Sequence, residues 1–267
     1  MMARRFMSPI IRRLLLAGAV ASVLSFLAFP AMSAEDIDSD ADKILQSMST
    51  YLGRIKAFSL NADIDFEIVA PNGQKLQLSS LATVVMERPA KFHISRKGML
   101  ADAEFIFDGK TLTLYGRNLN VYAQIQVPGT SDDAFRAYEF ETGLPAPGAD
   151  LLFADAYAVL SAGVENSVYV GTAYVNGVEC HHLAFREAKV DWQLWVKAGD
   201  EPLPMKYVIT TKWLTGAPQY EIRLRDWNVS PKIKDAEFTF SVSNNATKLE
   251  TMPVNDMGEF PSTKEGQ

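Results

Sequence analysis

The spacing of apolar residues changes period along the chain, and each change marks a new kind of element. Ile44, Leu45, Met48, Tyr51 and Leu52 recur at three- and four-residue steps, the stripe of one helix face. Ser39 stands where a cap belongs, with Asp42 three residues on, and Gly53 stands where the helix would stop. The period then drops to two. Leu60, Ala62, Ile64, Phe66 and Ile68 alternate with Asn61, Asp63, Asp65 and Glu67, which predicts a strand with one dry and one wet face. Pro71-Asn72-Gly73-Gln74 supplies a hairpin turn, because Asn-Gly accepts positive φ. Further strands are predicted over 76–87, 91–96, 103–107, 111–115 and 120–127, joined by short turns into an antiparallel meander.

Residues 131–163 interrupt this pattern as a helical insertion. Ser131 can cap a segment holding Phe135 and Tyr138, and a second helix over about 149–162 gathers Leu151, Leu152, Val159 and Leu160 before Gly163. Gly143-Leu144-Pro145-Ala146-Pro147-Gly148 lies between them as a natural joint. Period two returns at Val164, with Asn176-Gly177 as a turn and strands predicted over 179–186, 192–196, 206–213, 220–227 and 237–242. The class is mainly β: roughly eleven strands and about three helices. At about 25 cal/mol per Å² of apolar surface, leaving the dry faces in water would cost on the order of tens of kcal/mol. Two sheets could cover each other, or one curved sheet could wrap around the helices, and periodicity leaves both open.

The first 33 residues have a different character. Arg4, Arg5, Arg12 and Arg13 precede an apolar run from Leu14 to Phe29, and no acid occurs before Glu35. Pro30 ends the run and Ala31-Met32-Ser33 is a small-x-small pattern, so 1–33 reads as a secretory signal cleaved after Ser33 or Ala34. The run is shorter than the ~20 residues needed to span a bilayer. The expected product is a periplasmic domain over 34–250 with a disordered tail, 251–267. Losing four arginines leaves 22 basic against 32 acidic residues, so the net charge moves from −6 to −10. That balance disfavours nucleic acid as a partner. Cys180 is the sole cysteine and lies far from the cleavage site, so neither an intramolecular disulfide nor a lipid-modified N-terminus is expected, and the mature chain has no permanent membrane anchor.

Several stretches carry a resemblance. Met86-Glu87-Arg88-Pro89-Ala90-Lys91-Phe92 leads into a strand and Phe107-Asp108-Gly109-Lys110 makes the next hairpin. Leu194-Trp195-Val196, Leu203-Pro204-Met205-Lys206 and Asp235-Ala236-Glu237-Phe238-Thr239-Phe240 continue the second half. With the order helix, meander, two-helix insertion, meander, the chain resembles the LolA/LolB superfamily of periplasmic lipoprotein carriers over about residues 38–250. Cys180 to Arg186 and Asp191-Trp192-Gln193 look closer to an uncharacterised branch of predicted periplasmic proteins. The resemblance implies one strongly curved antiparallel sheet, an incomplete barrel with helices across its mouth, whose concave side holds acyl chains.

Candidate chemistry adds little to this. No nucleophile elbow, H-E-x-x-H, phosphate loop or dinucleotide motif occurs, so no cofactor and no enzymatic activity are expected, although a carboxylate pair assembled in space stays open. In Cys180-His181-His182, strand alternation puts Cys180 and His182 on one face and His181 on the other, too few ligands for zinc. Lys91, His93, Arg96 and Lys97 form a basic cluster that reads as a wet strand face or as a docking patch for an acidic partner. The aromatic residues Phe66, Phe92, Phe107, Trp192, Trp195 and Trp213 lie on predicted strands and are the candidate ligand contacts. The expected function is non-enzymatic binding of a hydrophobic small molecule or lipid, with 131–163 as a lid. The alternatives are a module that grips another envelope protein, such as a stress sensor or assembly factor, and, least favoured, a hydrolase.

Overall fold

The computed structural model describes residues 37–250 except 101, 144–145 and 242–244. The leader with Ser33 and Ala34, the tail 251–267, and Leu144 and Pro145 of the joint therefore lie outside the described residues. The alternating segments form β1 (Ala57–Val69), β2 (Lys75–Glu87), β3 (Lys91–Gly98), β4 (Asp102–Phe107), β5 (Thr111–Gly116) and β6 (Val121–Gln126), and after the insertion β7 (Val164–Val175), β8 (Val178–Glu187), β9 (Val190–Lys197), β10 (Pro204–Thr211) and β11 (Gln219–Asn228). β1 pairs antiparallel with both β2 and β11, which fuses the two meanders. A short β12 (Thr247–Lys248) joins β6 in parallel. The order is β12-β6-β5-β4-β3-β2-β1-β11-β10-β9-β8-β7, one open sheet and not a sandwich.

Both halves turn their dry faces to a common core. Phe92 and Leu112 from the first meander and Leu183 and Leu194 from the second share one cluster with Leu45 and Met48 of the first helix. Strands so far apart in the sheet reach the same helices only if the sheet bends around them. The wet face carries ion pairs between strands: Arg225 with Asp63 at 2.8 Å, Arg223 with Asp65 at 3.1 Å, and Lys206 with Glu221 at 2.9 Å. Asp63, Asp65 and Glu67 are therefore the solvent side of a half-buried strand, as their alternation predicts.

The helices differ from expectation at their ends. α1 (Ser39–Arg54) is capped by Asp38 instead of Ser39, its carboxylate accepting from the N–H groups of Asp40 and Ala41 at 2.8 and 3.2 Å. Asp38 has a second task, accepting the Tyr169 N–H at 3.1 Å while its own N–H donates to Ser167 Oγ at 2.9 Å, so the cap also fastens α1 to β7. Burial works against its ionisation, but these backbone bonds hold its carboxyl below the ordinary range. α2 (Ser131–Thr142) is capped by Thr130 in a capping box with Asp133. The single helix expected over 149–162 is broken into a 3-10 turn, Ala149–Leu152, and α3 (Ala156–Leu160). Side chains hold the break open: Arg88 Nη2 donates to the Phe153 carbonyl at 3.2 Å, Asp132 accepts the Ala154 N–H at 3.1 Å, and Asp155 caps α3.

Among the described residues 237–241, the strand expected over 237–242 does not form. Asp235–Phe238 is a 3-10 turn, and the two phenylalanines dock separately, so no ladder is made. Phe238 is buried with Lys91 Nζ 5.6 Å from its ring centre, while Phe240 packs on Tyr115 and Tyr122 at 5.5 and 5.1 Å.

Asp38→Ala is expected to lower stability by about 1 kcal/mol, read as a lower urea midpoint, whereas Ser39→Ala changes it by no more than about 0.5 kcal/mol. Equal losses would count against Asp38 as the cap.

Candidate functional site

The concave face is not filled. A cavity of about 130 Å³ lies between the sheet and the insertion. Its floor is the dry face of β1, β2, β3 and β11, with Leu60, Ile64, Val84 and Ile94 among the lining side chains, and its roof is Ala134, Phe135 and Tyr138 of α2 with residues 146–149, 151 and 152. The void follows from residue size. Ala62 on β1 and Ala82 on β2 are paired neighbours, so two adjacent strands give up large side chains at one level of the bowl. Gly148 brings the roof down: its φ is 89°, and a Cβ there would run into Ile222 Cδ1 on β11.

One end of the cavity is closed by aromatic stacking. Phe135 stacks on Phe92 with centroids 4.7 Å apart. Phe107 flanks the pair against Phe92 and Phe153 flanks it against Phe135, each at 5.6 Å. Such offset and tilted contacts contribute about 0.5–1.5 kcal/mol each beyond area burial. The opposite wall holds Arg96, which is 7% exposed. Among the described residues that line the cavity it alone is charged. In the sequence it stands with Lys91, His93 and Lys97 as one basic cluster, but period two on β3 sets Arg96 on the same face as Phe92 and Ile94. That alternation is the signal in the sequence that separates it from the others.

Lys91 and His93 of the basic cluster are engaged by acids of the chain itself. Lys91 pairs with Glu87 at 3.1 Å and Asp235 at 3.0 Å, and His93 lies 3.4 Å from Glu104 and 3.2 Å from Glu237. Asp235 and Glu237 of the 235–238 turn thus meet two members of the cluster.

The candidate aromatic residues separate into three groups. Phe92 lines the cavity, Phe107 is buried behind it, and Phe66 is buried on the same face beside Tyr220. Trp192 is buried at the far side of the core, stacked on Phe185 with centroids 3.9 Å apart and donating from Nε1 to Glu187 at 2.8 Å. Trp195 and Trp213 lie elsewhere. Trp195 is on the outer face, stacked on His182 at 4.0 Å, and Trp213 falls beyond the end of β10, 66% exposed. Cys180 and His182 do share the outer face, but Cys180 is buried with its thiol toward the Val178 carbonyl at 3.4 Å, and burial pushes that thiol's pKa up. His181 meets Tyr169 instead, at 3.1 Å. Among the described residues no group of three or more His, Cys, Asp or Glu side chains is placed to hold a metal.

Two acids do meet beneath the roof, outside the cavity lining. Asp150, from the 3-10 turn, bonds Tyr207 of β10 and lies near Glu187 of β8. Burial, then the Glu139 and Glu187 charges, raise the Asp150 pKa to about 6. Burial likewise raises Glu187, against the Trp192 bond and the Lys212 charge.

One open, mostly antiparallel sheet bent around its own helices, with an apolar hollow beneath them, defines a mainly β half-barrel. The chain belongs to the family of predicted periplasmic proteins designated DUF2092, whose model matches residues 41–252, and it is a periplasmic protein in agreement with the export expected from its sequence. Among the described residues no helix is long and apolar enough to cross a membrane. No curated protein matches the chain. Among solved structures, an uncharacterized conserved protein from Thermus thermophilus is similar at 11% identity and a TM-score of 0.47, covering 79% of this chain and 98% of its own. LprF from Mycobacterium bovis is similar at 15% identity and a TM-score of 0.44, covering 80% and 100%. A LolA superfamily protein from Nitrosomonas europaea is similar at 10% identity and a TM-score of 0.38, covering 75% and 97%.

The raised Asp150 pKa has a signed consequence. Between pH 3.8 and about 6 the folded state holds a proton that the unfolded chain releases, so this group's contribution to stability falls as pH rises through that window. Asp150→Asn removes the effect. The stability of the variant relative to the wild type is expected to grow from about pH 4 to about pH 6 and then level off, measured by urea unfolding at stepped pH. A difference that stays flat across that range would count against the assignment.

Proposed function

We propose that this is a non-enzymatic periplasmic binding protein that holds the hydrocarbon part of an amphiphilic ligand in the hollow of its sheet, with residues 131–163 as the movable cover. The observation that carries this reading is the apolar cavity itself, formed where the cover meets the sheet. A protein core normally packs with few voids larger than a water molecule. Here the void persists because small side chains stand opposite one another, and its walls are aliphatic and aromatic apart from Arg96. Such cavities stay dry and take apolar guests. Phe92 and Phe135 supply the ring faces, with Phe66 and Phe107 supporting the floor.

At about 130 Å³ the hollow compares with an engineered cavity of ~150 Å³ that admits benzene, so a long chain enters only if the cover lifts. The cover is built to allow that. It is tied down at polar points that include Arg88 to the Phe153 carbonyl, Ser49 Oγ accepting the Tyr157 N–H at 2.7 Å, and Asp42 accepting the Tyr157 hydroxyl at 2.7 Å. Gly143 and Gly148 bound its joint at φ of 67° and 89°. Each methylene brought under cover contributes about 0.8 kcal/mol, so roughly five to nine of them offset the loss of one neutral hydrogen bond of about 1 kcal/mol and two to charged groups of about 1.5–3 kcal/mol each.

Native mass spectrometry and solvent extraction of protein purified from periplasm test the reading directly: a bound lipid is expected, and emptied protein is expected to take up a fluorescent fatty acid. Ala82→Phe fills the hollow and should abolish uptake while leaving the thermal midpoint within a few degrees of wild type. Protein that arrives empty, takes up no fatty acid and co-purifies stoichiometrically with another envelope protein would replace this reading with a protein-gripping one.

A further inference from the structure

Five large apolar side chains stand in water at one end of the sheet. The hairpins of an antiparallel meander turn alternately at its two ends, so the β5–β6, β3–β4, β1–β2, β10–β11 and β8–β9 turns follow one another along the same end. Their tips succeed each other about every 10 Å, two strand spacings. Met99 is 73% exposed on the β3–β4 turn, and Leu119 is 54% exposed on the β5–β6 turn. Leu76 at the start of β2 is exposed too, as are Trp213 and Leu214 on the β10–β11 turn, Trp213 at 66%. These five are half of the ten large apolar residues exposed among the described residues, a concentration that single scattered residues would not give. The turn that carries Trp213 is braced. The Ala217 N–H donates to the Leu214 carbonyl and the Thr211 N–H to the Pro218 carbonyl, each at 3.0 Å. Gly216, at φ 83°, lies so close to Val69 that a Cβ there would stand 3.1 Å from Val69 Cγ2, so the β10–β11 tip rests on the β1–β2 tip.

Charge is distributed in the same sense. The linking residues of these five hairpins, 70–74, 99–101, 117–120, 188–189 and 212–218, include Arg117, Lys189 and Lys212 but no Asp or Glu, in a chain of 32 acidic and 26 basic residues. Turns at the opposite end carry Asp108, Asp200 and Glu201. Three acids on the adjoining strands are met by bases of this rim: Glu67 by Lys75 at 2.9 Å, Asp102 by Arg117 at 3.3 Å and Asp191 by Lys212 at 2.9 Å. Lys97 and Lys189 are exposed. We propose that this rim docks on the surface of a lipid bilayer containing anionic lipid, with Trp213, Leu214, Leu76 and Met99 entering the interface and the lysines among the headgroups. An indole suits that depth, because its ring is apolar and its N–H finds a partner at the wet boundary. Shallow apolar insertion combined with attraction of Lys and Arg to anionic lipid holds a protein at a membrane without spanning it. A protein partner calls for a continuous, shape-matched patch. These side chains stand instead on separate tips, which a fluid surface accommodates. The proposal does not depend on what the hollow holds.

Flotation of protein purified from periplasm with vesicles of mixed phosphatidylcholine and phosphatidylglycerol tests this, together with quenching of tryptophan fluorescence by lipids brominated on their acyl chains. Wild type is expected to float with the vesicles, less so at high salt, and to be quenched, with the quenching lost in Trp213→Ser. Trp213→Ser and Met99→Ser should each weaken vesicle binding about tenfold. Tyr174→Ser removes a ring 68% exposed on β7, toward the opposite end of the sheet, and should leave vesicle binding unchanged. All three positions are exposed, so thermal midpoints close to wild type are expected and separate lost docking from lost folding. Wild type that floats with no vesicle, or a loss in Tyr174→Ser equal to that in Trp213→Ser, overturns the proposal. Self-association that Trp213→Ser abolishes, without flotation, overturns it in favour of a second copy of this chain. Fatty-acid uptake in free solution is expected to survive Trp213→Ser, so a failure of docking leaves the reading of the hollow standing.

Discussion

The pairing of β1 with β11 connects residues about 160 positions apart, and the bowl exists because of it. Each meander alone is a run of local hairpins with one apolar face and nothing to cover it. Joined through the registers Ala62 to Leu224 and Ile64 to Ile222, they become a single sheet long enough to bend around the helices. The seam is held on both faces. Inside, Phe66 stacks on Tyr220, and outside, Asp63 and Asp65 meet Arg225 and Arg223. Contacts of such sequence separation are slow to form, and the cavity depends on this pairing, as does the placing of the Phe66 and Tyr220 rings beside Arg96 from the two sides of the seam.

The hollow and the core are two uses of one surface. Toward β8 and β9 the concave face is packed solid, with Leu183, Leu194 and Val196 fully buried and Trp192 filling the remaining volume. Toward β1, β2 and β3 it carries alanines at the same level and the packing stops short. Stability is concentrated in one half and vacancy in the other. The cover spans both: α3 is tied to α1 through Ser49 and through Asp42, which accepts the Tyr157 hydroxyl at 2.7 Å, while α2 hangs over the open half.

The sequence shows most of the strands because each is half-buried, and a half-buried strand must alternate. β1 and β2 are legible to within one or two residues for that reason. Legibility fails where a segment is held by side chains instead of by period. Asp38 and Ser39 are equally good caps on paper, and the choice is made by Tyr169, far along the chain. Residues 153–155 look helical in composition, but Arg88, Asp132 and Asp155 hold their backbone groups. Strand membership by itself assigns an aromatic residue to neither face. Trp195 and Phe92 look alike by that criterion, although one lies outside and the other inside.

An open sheet ordinarily presents two unpaired edges, each a template for another chain to add a strand. Both edges here are spoiled by local irregularity. At β6 the ladder is occupied by Thr247 and Lys248, with the Thr247 N–H on the Asn120 carbonyl and the Leu249 N–H on the Tyr122 carbonyl at 3.0 and 2.8 Å. At β7 the register against β8 slips twice, near Asn166 and near Gly171, and Ile37 bridges to Ser167 from the outside. Bulges of this kind twist an edge away from flat pairing. The half-barrel can thus keep a gap between its first and last long strands, and with it a mouth, without becoming a seed for runaway polymerisation in a crowded compartment.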